Sequence, residues 1–149
     1  MNDENFYSPI YSLQLFGLKK YFDEFNFLFN KDCFPKISML SGKKGIGKFT
    51  LVNHLLNSFF DKNNYDFKNY IIDNKSNIYN KIINNIFENV IYLPNVNGVT
   101  VKIDDIRNLK STLLKSTLNT EKRFIIIDDL EFFNLNSINA LLKIIEEPT

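Results

Sequence analysis

Residues 36–50, Lys-Ile-Ser-Met-Leu-Ser-Gly-Lys-Lys-Gly-Ile-Gly-Lys-Phe-Thr, constrain this chain more than any other stretch. An apolar run enters a glycine-rich loop that opens into an amphipathic helix. Gly42, Gly45, Gly47 and Lys48 fit G-x-x-x-x-G-K, the spacing that turns successive backbone N–H groups toward an anion at the positive end of a helix. Three of the five glycines in the chain sit in this loop. The expected phosphate-contacting residues are Gly42, Lys43, Lys44, Gly45, Ile46, Gly47, Lys48, Phe49 and Thr50. One position departs from the pattern. Where Ser or Thr would offer a hydroxyl to a nucleotide-bound magnesium stands Phe49, and the hydroxyl arrives at Thr50, about 100° further round the helix. A side chain there does not reach the same metal, so the expectation is phosphate cradling with impaired hydrolysis. The plain alternative is a strand, a turn and a helix with no ligand, because glycines also serve ordinary turns.

A second element argues against that alternative. In Phe124-Ile125-Ile126-Ile127-Asp128-Asp129 an apolar strand ends in two carboxylates, the arrangement that brings an Asp to the magnesium shell of a nucleotide. Asp128 is the candidate metal ligand. The next position often carries a Glu that polarises the attacking water. Asp129 is one methylene shorter and is expected to reach that water poorly.

Size and charge set the remaining bounds. With 149 residues, 44% hydrophobic and 23% charged, the chain reads as one ordinary globular domain or part of one. A net charge of +1 provides no global basic field for nucleic acid, so any DNA contact must be local or shared with partners. The single cysteine, Cys33, excludes an internal disulfide and a cysteine-based zinc site. No apolar run reaches membrane-spanning length, and Met1-Asn2-Asp3-Glu4-Asn5 does not read as a signal peptide, so the expected location is the cytoplasm. The abundance of Asn, Ile and Lys is attributed to base composition, and Asn-rich runs are given no functional weight.

Periodicity places the elements. Leu15, Leu18, Phe22, Phe25 and Phe29 predict a helix over 13–29 with Lys19, Lys20, Asp23 and Glu24 on its wet side. Phe34-Pro35 stops it and a strand is expected over 36–40. Leu51, Val52, Leu55, Leu56, Phe59 and Phe60 make one stripe of a helix over 47–60. His54 falls between those positions and reads as a surface residue. Residues 61–75 are an irregular connection with a short strand at 70–72. Ile78, Ile82, Ile83 and Ile86 predict a helix through about 88, and Val90 to Leu93 a buried strand. Asp104 caps a helix over 104–118, the strand bearing the carboxylates covers 123–128, and a last helix over 136–145 buries Ile138, Leu141, Leu142 and Ile145. Of the adjacent pair Phe132 and Phe133, at most one points inward. Continuous apolar strands alternating with helices predict a parallel sheet covered on both faces, with ligands at the carboxyl ends of its strands, where Gly42 and Asp128 both fall.

The last helix carries a more specific signal. Asn139-Ala-Leu-Leu-Lys-Ile-Ile-Glu-Glu-Pro148 resembles the N-A-L-L-K-x-L-E-E-P signature of bacterial clamp loaders, and Ser41 to Thr50 resembles the S-G-P-K-G-I-G-K-A-T loop of their delta-prime subunit. Leu15-Phe16-Gly17 is similar to the entry motif whose backbone lies near adenine in nucleotide-binding relatives, which adds Gly17 to the candidate nucleotide contacts. Phe34-Pro35 resembles the L-P-H-A segment, with Lys36 in place of its His, and Val99 to Arg107 resembles the segment opening the following helix. The resemblance implies a three-layer α/β P-loop fold of the AAA+ class, a parallel sheet flanked by helices, with the chain as its N-terminal portion before the lid and collar domains. It further implies a subunit of the DNA polymerase III holoenzyme that works with other clamp-loader subunits, the sliding clamp and, through the complex, primed DNA. No membrane and no zinc are expected.

Two readings of the activity stay open. In one, the subunit is a scaffold whose seat for ATP and magnesium is degenerate and whose own hydrolysis is weak or absent. In the other it is an active motor of the tau/gamma kind or another AAA+ ATPase, which Lys48, Asp128 and the loop glycines keep alive. A phosphate-binding domain unrelated to replication, such as a small kinase, is disfavoured because no acceptor site or base is visible.

Overall fold

The computed structural model describes residues 9–93, 106, 122–130 and 133–146. The chain divides into two units, Met1–Phe87 and Glu88–Thr149.

In the first unit, helix α1 spans Lys19–Asn30, so the stretch from Leu13 does not join it as the periodicity predicts. Gly17 takes a left-handed φ of 72°, which ends the preceding extended segment before the helix begins. Residues 13–15 instead run beside a small hairpin made of β1, Tyr65–Asp66, and β2, Ile71–Ile72, which pair antiparallel. Gln14 bridges Ile71, the Leu15 N–H donates to the Tyr70 carbonyl at 3.0 Å, and the Ile72 N–H donates to the Leu13 carbonyl at 2.9 Å. The Asp66 carboxylate closes the hairpin turn by accepting from the Lys68 and Asn69 amides, and Tyr70 sits in the left-handed region at φ 57°. α1 turns Phe22 fully inward, where its ring stacks on Tyr65 at 5.3 Å and meets the edge of Tyr70 at 5.4 Å. Lys19, Lys20, Asp23 and Glu24 stay exposed, as an amphipathic helix requires.

The strand expected over 36–40 does not form. The segment takes no strand conformation and pairs with no described residue; Ile37 is 57% and Met39 80% exposed. An apolar run makes a strand only where a neighbouring backbone meets its N–H and C=O groups. Helix α2, Lys48–Phe60, follows the loop, and helix α3 spans Asn77–Ile83. Ser76 caps α3 by accepting from the Tyr79 amide at 3.1 Å, and its own hydroxyl donates to the Asp61 carboxylate. α3 ends earlier than its isoleucines predict because Asn84 and the left-handed Asn85 (φ 55°) close it. The core of this unit joins Leu15, Phe22, Leu51, Leu55, Tyr65, Ile72 and Tyr79.

The second unit is built on two parallel strands, β3 (Val90–Leu93) and β4 (Phe124–Ile127), in register from Val90 opposite Phe124 to Leu93 opposite Ile127. Helix α4 spans Leu135–Glu146 and is capped by the Asn134 side chain, which accepts from the Ser137 amide at 2.8 Å. Ile91, Leu93, Ile125 and Ile127, alternate residues of the two strands, pack against a core of Ile106, Phe133 and Leu141. Phe133 is buried in this core, and Phe132 lies outside the described residues. Leu142, expected in the core, is 46% exposed, because α4 presents Leu141 rather than its neighbour to the cluster. Of the helix expected over 104–118 only Ile106 is described, helical and fully buried. Among the described residues the architecture is therefore α/β, with four helices and a short parallel sheet.

Candidate phosphate loop and acidic strand tip

The loop owes its shape to its glycines. Gly45 and Gly47 lie in the left-handed region at φ 83° and 91°, and Gly42 at φ 153° is also positive. A Cβ on Gly42 would come within 2.6 Å of Ile46 Cδ1, and one on Gly47 within 3.2 Å of Leu18 Cδ1. Gly47 forms the N-cap of α2, with the Leu51 amide donating to its carbonyl at 2.9 Å as the first turn closes. That first turn carries no acidic residue, so no side chain in it neutralises the positive end of the helix. Lys48 arches back over the loop, its ammonium donating to the Gly42 carbonyl at 2.9 Å and the Lys43 carbonyl at 3.1 Å. Its charge thereby stands over the backbone that would wrap an anion. Lys43, Lys44, Gly45 and Ile46 are exposed, while Phe49 and Thr50 are half-buried in the opening turn of α2. The groups here that would hold a phosphate are the positive-φ glycine backbone and the Lys48 ammonium, which in this structure donates to two loop carbonyls. With a phenyl ring at position 49, no hydroxyl follows the lysine to serve a metal.

The structure also brings the joint before α1 to the loop. Gly17 is exposed with open space about its Cα, and the next residue, Leu18, lays its side chain against Gly47. The sequence did not single out Leu18 as a wall of the loop. Its only earlier signal was membership of an apolar repeat.

At the end of β4, Asp128 is exposed and Asp129 half-buried. Asp129 adopts a left-handed φ of 47°, a conformation Asp tolerates better than most residues, and its amide donates to Asp128 Oδ1 at 3.0 Å. The turn thus holds the Asp128 carboxylate at the strand tip through one of its oxygens. Among the described residues, no group of three or more His, Cys, Asp or Glu could hold a metal ion.

His54 is not a surface residue. It is fully buried on α2, with Nε2 3.1 Å from the Ser12 carbonyl and Nδ1 3.0 Å from the Tyr65 hydroxyl. A carbonyl only accepts, so Nε2 carries the proton and Nδ1 accepts from Tyr65. Burial keeps the imidazole neutral down to about pH 4, against the usual 6.5, with the Ser12 carbonyl opposing the shift. The Tyr65 hydroxyl is raised above its ordinary range, chiefly by burial and then by the charges of Tyr70, Asp23 and Asp66. Asn53, Asn57 and Ser58 are buried beside it. The signal was present in the sequence: 53 with 57 and 54 with 58 are helical i, i+4 pairs, hidden by the general abundance of Asn.

No described helix is long and apolar enough to cross a membrane. No curated protein and no solved structure matches the chain. A family model described as DNA polymerase III, delta subunit, matches residues 17–149, from the joint beside the loop through both units. The chain belongs to that family and is a DNA polymerase III subunit of the clamp-loader type.

Proposed function

We propose that this chain is the N-terminal portion of a delta-prime-like clamp-loader subunit of the AAA+ class, a cytoplasmic scaffold that holds nucleotide phosphate at the 42–48 loop without turning it over. The observation that carries the reading is Phe49 at the head of α2. The loop keeps its positive-φ glycines and a lysine poised over its backbone, and lacks the hydroxyl that would complete a magnesium shell. Asp129 in place of Glu removes the usual means of polarising water, leaving Asp128 as the one candidate metal ligand of the strand tip. Such a subunit would stand beside hydrolysing neighbours and support placement of the sliding clamp on primed DNA within the polymerase complex.

The rival reading, an active tau/gamma-like motor, makes the opposite forecast for the same assay. Titrating ATP with magnesium against the full-length subunit and following phosphate release should give binding that Lys48→Ala weakens, with turnover at background. Robust hydrolysis abolished by Lys48→Ala would overturn the scaffold reading.

A further inference from the structure

α2 buries four polar side chains, Asn53, His54, Asn57 and Ser58, where an amphipathic helix would bury apolar ones. Buried polar groups cost stability unless paired; Asn57 Oδ1 is left without a partner, and two of the bonds these side chains do make leave the helix for residues 9–18. Asn57 donates to the Asn53 carbonyl at 2.9 Å and to Asn53 Oδ1 at 3.1 Å, which turns the Asn53 amide nitrogen outward to the Ile10 carbonyl at 3.0 Å. His54 donates from Nε2 to the Ser12 carbonyl, which fixes its tautomer, and Nδ1 accepts from the Tyr65 hydroxyl. Ser58 donates back to the Leu55 carbonyl within the helix. Both contacts to residues 9–18, the arm that precedes α1, are to main-chain carbonyls, so they hold its backbone rather than any particular side chain. From Ser12 the arm continues beside β2, turns at Gly17, and ends with Leu18 against Gly47 of the loop. The arm is thus held to α2 at two places: seven residues into the helix region at His54, about 10 Å along its axis, and at the glycine that opens it.

We propose that Asn53 and His54 are positioning residues of the phosphate loop: they clamp the arm along α2, and the arm's far end fixes the loop wall at Gly47. The inference rests on reading that loop as an anion seat, but the clamp itself is testable without a ligand. Its consequence is that a change two turns from the loop, at groups touching no phosphate, alters how the loop receives one.

The test uses the full chain with inorganic tripolyphosphate as probe, measured by calorimetry, together with amide hydrogen exchange at Leu15, Phe22 and Leu51. His54→Ala should weaken tripolyphosphate about fivefold to tenfold and accelerate exchange at all three amides. His54→Gln, whose Nε2 can still donate to Ser12, should bind within about twofold of the parent. Asn53→Ala supplies a milder lesion should His54→Ala fail to fold, and should move both readouts in the same direction. Ile82→Ala, in the buried face of α3, controls for lost stability and should leave affinity unchanged. The proposal is overturned if the folded clamp variant, His54→Ala or Asn53→Ala in its place, binds as tightly as the parent, or if Ile82→Ala weakens binding equally at matched stability. Should the parent bind no tripolyphosphate, the phosphate reading falls and exchange alone decides: an unchanged Leu51 amide rejects the clamp, a faster one upholds it.

Discussion

Two apolar runs of this chain lead to residues read as functional, and only one of them is a strand. Phe124–Ile127 lies in register on Val90–Leu93 and delivers Asp128 from a paired backbone. The run Ile37-Ser38-Met39-Leu40 leads to Gly42, yet it pairs with no described residue and leaves Ile37 and Met39 largely in solvent. Composition contributes to the difference, since three consecutive isoleucines stiffen an extended chain better than one isoleucine with Ser and Met. A partner decides it. The acidic tip is held by a sheet, whereas the loop is held from its helix side, by α2 and the arm that α2 grips.

Removing the support beneath the paired strands should have the largest effect. Leu141→Ala empties part of the core under β3 and β4 and should cost the second unit about 2–5 kcal/mol, read as a lowered denaturant midpoint. The loop's own anchorage should respond to acid instead. Solvated histidine titrates at 6.5 and His54 at about 4, so the unfolded chain takes up a proton first. Stability of the first unit should be full above pH 6.5, decline as pH falls, and level off near pH 4 after losing about 3 kcal/mol. The same titration of His54→Gln should lack that component.

Within the loop, Gly47→Ala forces a Cβ into a left-handed position already crowded by Leu18 and should cost about 1–2 kcal/mol, with weaker phosphate binding in calorimetry. The smallest effect is expected in the unpaired run: Met39→Ser should shift stability by no more than about 0.5 kcal/mol. A loss as large as that from Leu141→Ala would break the contrast, by showing that the run is buried in the working protein.

Much of the architecture was legible because local signals and packing agreed. The helix after the loop, the strand at 90–93, the strand before Asp128 and the last helix all lie within a residue or two of their periodic patterns. The loop was legible as a turn into a helix, and Gly42, Gly45 and Gly47 all take positive φ there. What failed depended on partners no local pattern names. The phenylalanine repeat counted Leu15 and Leu18 into α1, although Gly17 breaks the chain between them and a hairpin claims residues 13–15. His54 fell between the hydrophobic positions of α2 and is buried all the same, because the arm brings a carbonyl and β1 a hydroxyl to its two nitrogens. Leu142 has the right residue type for a core and the wrong angle on α4.

The loop is proposed to hold phosphate without completing a metal site. The most direct test compares ATP affinity of the full-length subunit with and without magnesium, alongside Lys48→Ala and Phe49→Ser. Binding in the parent should depend on Lys48 and hardly on magnesium, with magnesium dependence appearing in Phe49→Ser. Affinity that tightens strongly with magnesium in the parent, accompanied by steady phosphate release, would contradict it.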